Sequence, residues 1–184
     1  MPMIDLTIPE GALKAEAEAR LVKELGDILI GHEGFDPASR VAQSVTVVFL
    51  HRPAAIFVAG APSERPRYRI VPSVPEGQYT DASRKALVRD VTEAVARAEG
   101  GSFDDVAPRV WVFPTEVEDG TWGSRGGIHR MADIHAFIAG QQERNVGEER
   151  LARRRHSKAM ALLEGVLDAT RSAQSADQRS SRPG

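Results

Sequence analysis

Ile4-Asp5-Leu6-Thr7-Ile8-Pro9-Glu10-Gly11 reappears 66 residues later as Ile70-Val71-Pro72-Ser73-Val74-Pro75-Glu76-Gly77. The same ungapped offset sets Leu21-Val22-Lys23-Glu24-Leu25 on Leu87-Val88-Arg89-Asp90-Val91, and Asp27 on Glu93. A turn and a helix repeated in one register point to a duplicated unit rather than to chance similarity. Each copy reads as strand, turn, helix and second strand. Met3 to Ile8 alternates apolar and polar residues, and Pro9-Glu10-Gly11 stops the strand. From Lys14 to Ile30, Ala17, Leu21, Leu25, Ile28 and Leu29 line one helical face.

In the second copy Thr80 or Asp81 is the expected N-cap, and Leu87, Val88, Val91, Ala94 and Val95 form the apolar stripe. Gly100-Gly101 ends the helix. Ser44 to Leu50 and Pro108 to Phe113, rich in β-branched and aromatic residues, are the second strands. Two βαβ units with right-handed crossovers predict an α+β fold: a four-stranded sheet with two helices on one face. The other face, carrying Ile, Val and Phe side chains, needs cover from further subunits, so an oligomer is expected.

The chain has 184 residues, 41% hydrophobic and 27% charged, enough for a sizeable core. Cysteine is absent, which removes disulfides, thiolate nucleophiles and thiolate metal sites. A net charge of −2 supplies no global field for nucleic acid or anionic membrane. Apolar runs such as Val45 to Leu50 are far shorter than the ~20 residues that span a bilayer, and the amino terminus does not read as a signal, so a cytoplasmic protein is expected.

After Gly140 the pattern changes. Glu148 to Thr170 reads as a helix with Leu151, Met160, Leu162, Leu163, Val166 and Leu167 as its apolar positions; its basic run Arg153-Arg154-Arg155-His156 reads as a solvated face. Residues 140–171 are thus a helical extension. From Ser172 the composition predicts a disordered tail, 172–184. The duplicated domain spans 2–139, with its repeats at 2–60 and 67–139.

Pro2 is the candidate reactive group. Removal of Met1, which a small second residue permits, leaves a secondary amine at the start of the first strand. An α-amino group titrates near ~8, and an apolar pocket lowers that value toward neutrality, which suits proton abstraction beside a carbonyl.

A proline opening a strand that ends in Pro-Glu-Gly, within a duplicated βαβ unit, resembles the tautomerase superfamily. That group includes 4-oxalocrotonate tautomerase, macrophage migration inhibitory factor, malonate semialdehyde decarboxylase and cis-3-chloroacrylic acid dehalogenase. The resemblance covers residues 2 to 139. It rests on Pro2 to Gly11, and on Thr115-Glu116-Val117-Glu118-Asp119-Gly120-Thr121-Trp122-Gly123 with Gly126-Gly127 beyond.

The resemblance implies that Pro2 is the catalytic base and acid, that Trp122 lines the pocket, and that Phe57 holds the corresponding place in the first repeat. Short members carry an arginine just after the Glu-Gly of the turn; here the two copies have Ala12 and Gln78 instead. Another family arginine matches Trp111, and Arg109, two residues away on the same strand face, is the expected substitute carboxylate clamp. The alternative for Arg109 is an exposed strand-edge side chain. Arg67 and Arg69 flank Tyr68, the internal counterpart of Pro2; Arg69, Arg125 and Arg130 are further anion-binding candidates.

His32, His51, His129, His135 and His156 show no metal-ligand spacing, and Gly123-Ser124-Arg125-Gly126-Gly127 lacks the strand and helix that a phosphate loop requires. No metal or cofactor is expected. Glu116-Val117-Glu118-Asp119 reads either as a source of a water-activating carboxylate or as a solvated hairpin.

The expectation is a cofactor-independent keto–enol isomerase, a tautomerase of a small 2-oxo acid, assembled as a homotrimer like the fused members of the family. A hydratase, decarboxylase or dehalogenase of a short 3-carbon acid is the alternative enzyme. A non-catalytic ligand-binding or assembly module is the alternative class.

Overall fold

A computed structural model describes the backbone of residues 2–180 and the surroundings of side chains 2–172. Strand β1 (Met3–Thr7) leads through the Pro9–Gly11 turn into α1 (Ala15–His32), a short α2 (Arg40–Ser44) and β2 (Val47–His51). A two-strand excursion, β3 (Phe57–Val58) and β4 (Ala61–Pro62), precedes the second repeat. That repeat comprises β5 (Tyr68–Pro75), α3 (Asp81–Glu99), the short α4 (Phe103–Val106), a 3₁₀ turn Ala107–Arg109, β6 (Val110–Val112) and β7 (Thr115–Val117). A hairpin of β8 (Trp122–Ser124) and β9 (Gly127–His129) follows, then α5 (Met131–Ala139) and α6 (Arg144–Ser180).

The main sheet has the order β2-β1-β5-β6, with β7 also pairing with β5. Within each repeat the strands are parallel, and the repeats join antiparallel through β1 and β5, Met3 facing Ser73 and Thr7 facing Arg69. This is the tandem βαβ arrangement expected. Alternation places Ile4 and Leu6 of β1 and Tyr68, Ile70 and Val74 of β5 against Leu21, Leu25 and Leu29 of α1 and Leu87, Val91 and Val95 of α3. Each such side chain, fully buried, contributes ~1.5–3 kcal/mol relative to exposure.

Thr80 caps α3 in a reciprocal pair: its hydroxyl accepts from Ser83 N at 3.1 Å, while Ser83 Oγ accepts from Thr80 N at 2.7 Å. Gly100, at φ 76°, closes the helix. The opposite sheet face is bare, with Val47, Phe49, Trp111 and Phe113 all exposed.

Three features depart from the sequence reading. Residues 131–139 form a helix that the local pattern did not single out. Pro108 sits inside the 3₁₀ turn Ala107–Arg109, where its fixed φ and missing N–H are tolerated, so β6 begins at Val110 and Arg109 is not a strand residue. Helix α6 continues through Ser180, where composition pointed to disorder from Ser172; Ala, Gln and Arg are adequate helix formers, and extending an existing helix costs far less than nucleating one. Among the described residues no helix is long and apolar enough to cross a membrane.

Candidate active site

Pro2 is buried at the mouth of β1, its carbonyl accepting a hydrogen bond from Val47 N at 3.2 Å. It lies in a cleft of about 360 Å³ walled by Met3, Val45, Val47, Val117 and Trp122. Except for Val47, these walls belong to a second, smaller core: Ile30, Ala42, Val45, Trp122, Ile134 and Ile138 cluster together with Met3, Phe35 and Val117 against them. α5 and the β8–β9 hairpin therefore build the wall that places Trp122.

The hairpin is set by its tip, where Arg125 (φ 51°) and Gly126 (φ 75°) both occupy the left-handed region that a tight two-residue turn requires. Asp119 anchors the start of α5, accepting from Met131 N at 2.7 Å and from Arg130 at 2.9 Å. Of the residues expected around Pro2, Trp122 is the one the fold brings to it.

Arg109 is not a clamp at this cleft. Its guanidinium is buried, bonded to Glu99 at 2.8 Å and to the Pro66 carbonyl at 2.8 Å, with Asp105 at 3.5 Å. It precedes the Tyr68–Val110 pair, whereas Pro2 precedes the Met3–Ser73 pair. At ~3.3 Å per strand residue the two are roughly 20 Å apart along β5. Arg69 lies at the same far end, opposite Thr7, with its guanidinium over the Phe113 ring. Phe57, 62% exposed, sits beyond the far end of β2 in the β3–β4 excursion. Arg125 stacks over Phe137 on the outside of the Trp122 hairpin, and Arg130 is held by Asp119.

Two carboxylates of the acidic segment, Glu116 and Asp119, are tied into the fold, while Glu118 is exposed. Glu116 Oε1 accepts from Gly77 N and Tyr79 N at 3.0 and 3.1 Å, and Oε2 takes Arg84 and Arg154 at 2.9 and 3.0 Å. The basic run of α6 likewise departs from a purely solvated face: Arg154 holds Glu116, while Arg155 and Lys158 hold Glu76 at 3.3 and 2.9 Å.

Further functional groups emerge only in three dimensions. Glu33, which caps the carboxy-terminal end of α1, is fully buried; desolvation pushes its carboxyl up to about 7 against the opposing pull of Arg150. His135 of α5 is buried with its ring 4.8 Å from Phe35. Burial, then Arg150, bring it down to about 4, so it is neutral at pH 7. The Tyr79 phenol is raised above its ordinary range by burial and by the Glu33 and Glu116 carboxylates, and stays an O–H donor. The sequence signal for Glu33 was only an acidic residue at the end of the first helix, and for His135 a lone histidine.

No family model matches the chain, and no curated protein sequence matches it. Solved structures do share its fold. One is Pt0534 inactivated by 2-oxo-3-pentynoate, 22% identical, covering 68% of this chain and 94% of its own at a TM-score of 0.55. Another is N1, a member of the cis-3-chloroacrylic acid dehalogenase family, 15% identical, covering 78% and 98% at a TM-score of 0.58. A third is macrophage migration inhibitory factor of Toxoplasma gondii, 15% identical, covering 69% and 99% at 0.54. Fused 4-OT proteins solved as trimers align at similar scores. The chain thus has the fold of the tautomerase superfamily.

Proposed function

We propose that the chain is a cofactor-independent acid–base enzyme in which Pro2, freed of Met1, moves a proton between carbon and oxygen of an enolisable 2-oxo acid. The observation that carries this reading is the position of Pro2, buried in an apolar cleft against Trp122. There the ammonium form is desolvated and disfavoured, so the nitrogen keeps a lone pair near neutral pH. The amine takes the proton from C3, the C–H pair becomes the enol double bond, and the carbonyl oxygen acquires a proton. Arg109 has no part in this reading. A homotrimer belongs to it, supported by the bare apolar sheet face and by the fused 4-OT trimers of the same fold.

The second reading is addition of water to a short unsaturated acid or its dehalogenation, supported by the shared fold with N1 of the cis-3-chloroacrylic acid dehalogenase family.

Intact-mass measurement of the purified protein should show loss of Met1; retention caps the nitrogen as an amide and ends both readings. Deuterium exchange at C3 of phenylpyruvate, followed by NMR, should then fall by about 10²–10⁴-fold in Pro2→Ala, the span typical of a lost general base. Equal rates would leave a non-catalytic binding module as the better account.

A further inference from the structure

Between the β5–α3 turn and helix α6 lies a second cavity, of about 500 Å³, whose lining includes Gly34, Gln78, Tyr79, Thr80, Arg150 and Arg153. Arg150 reaches it from α6 and is half-buried. Its Nη1 donates to the Glu33 carbonyl at 2.6 Å and to Gln78 Oε1 at 2.9 Å. Both acceptors are neutral oxygens, and among the described residues no carboxylate forms a salt bridge to this guanidinium. Its seat is specific: Gly34 has φ +82°, and a Cβ there would lie 2.7 Å from Arg150 Nη2. A side chain at residue 34 would strain the backbone and displace the guanidinium together.

The turn contributes two buried donors with no partner among the described residues, Gln78 Nε2 and the Tyr79 hydroxyl. Gln78 and Tyr79 are 7% and 1% exposed, and an unmet buried donor of this kind costs ~1–3 kcal/mol. A half-buried cation bonded through Nη1 to neutral oxygens, beside two unmet neutral donors, is a donor set with room for an anionic acceptor. A planar carboxylate is the acceptor that matches a guanidinium fork.

We propose that this cavity is a carboxylate-binding site in which Arg150, supplied by the C-terminal helix, carries the recognising charge, with Gln78 and Tyr79 completing it. The occupant is the carboxylate end of the 2-oxo acid, so this assignment rests on the Pro2 reading. The placement agrees. Gln78 comes four residues after Val74, which adjoins Ser73, the partner of Met3; the cavity and Pro2 thus share one end of the sheet. Arg150 also bears on Glu33 and His135, buried groups at the same end of the molecule. Thus α6 is part of the site, and its arginine supplies the charge that the turn itself, with Gln78, lacks.

The test is calorimetric titration of full-length Pro2→Ala protein with phenylpyruvate and with its methyl ester. The acid should bind more tightly than the ester. Adding Arg150→Gln should weaken the acid at least tenfold and leave the ester unchanged, and Arg150→Lys should restore part of the loss. Equal binding of acid and ester, no binding of the acid, or equal loss of both in Arg150→Gln overturns the assignment. If Arg150→Gln fails to fold, Tyr79→Phe should weaken the acid several-fold without affecting the ester, and unchanged affinity overturns it. C3 exchange by the wild type separates the two claims. Arg150-dependent binding without exchange removes the catalytic reading and leaves the carboxylate site, whereas exchange with Arg150-independent binding does the reverse.

Discussion

A buried carboxyl that titrates near neutrality leaves a mark on stability whatever its catalytic use. Glu33 has an ordinary value of 4.5 and a folded one of about 7. Below 4.5 both states are protonated and the group costs nothing. As pH rises toward 7 the unfolded chain ionises freely while the folded one resists, so stability falls, and above 7 the loss is complete. The two and a half units correspond to roughly 3 kcal/mol at most. The wild type should therefore melt at lower temperature at pH 7.5 than at pH 5, and Glu33→Gln should flatten that difference in scanning calorimetry. A variant with the wild-type slope would place the responsible proton elsewhere. Nothing local in the sequence distinguishes Glu33 from Glu10 or Glu64; the contact from α6 at its backbone, by Arg150, comes from more than a hundred residues later. Pro2, in contrast, was legible because a strand start is set by neighbouring residues, and Trp122 because the segment Thr115–Gly123 resembles the family's. Arg109 was misplaced for a related reason: the same-face argument assumed a strand, and Pro108 converts the position into a 3₁₀ turn that turns the guanidinium to Glu99.

At the scale of elements the repeats were readable and the extension's docking was not. Strand, turn and helix each follow from periodicity and caps within a dozen residues, whereas the seat of α6 depends on matches between distant segments. Glycines open that seat: a Cβ on Gly77, at φ +101°, would come within 3.2 Å of the Leu151 backbone, and one on Gly147 within 2.9 Å of Ala132. Gly77→Ala should lower unfolding free energy by about 2 kcal/mol from the left-handed conformation alone, measured by urea titration. Charge then locks the helix. Burial raises the Glu76 carboxyl, but the hydrogen bonds from Lys158, Asp119 N and Arg155 outweigh it and hold it below the ordinary 4.5. That contribution is fully present above the unfolded value and is lost as pH falls through the folded one, the opposite slope to Glu33 and at lower pH. In Glu76→Gln, amides of 150–158 should exchange with deuterium about tenfold faster at neutral pH, the scale of a lost charged hydrogen bond. Unchanged exchange would mean that apolar packing alone seats α6.

For the molecule as a whole, what stays uncovered matters more than what is buried. The main core lies on one side of the sheet, and on the other Phe49 of β2 and Trp111 of β6 are 49% and 43% exposed. Arginines rather than apolar neighbours shade that face: Arg67 lies 5.4 Å from the Trp111 ring and Arg69 5.7 Å from that of Phe113. Aromatic rings at opposite edges of one bare sheet are what a subunit interface uses as anchors, and a lone chain gains nothing by exposing them. Sedimentation should therefore show a species of three times the 20.0 kDa chain mass. Phe49→Glu should reduce it to monomers, since burying an unpaired charge costs several kcal/mol. Phe103→Glu, at an exposed ring on α4 away from that face, should leave the assembly intact. If Phe49→Glu still sediments as a trimer, the sheet face is not the contact, and the exposed apolar stripe of α6, Leu163 with Leu167, becomes the surface to substitute next.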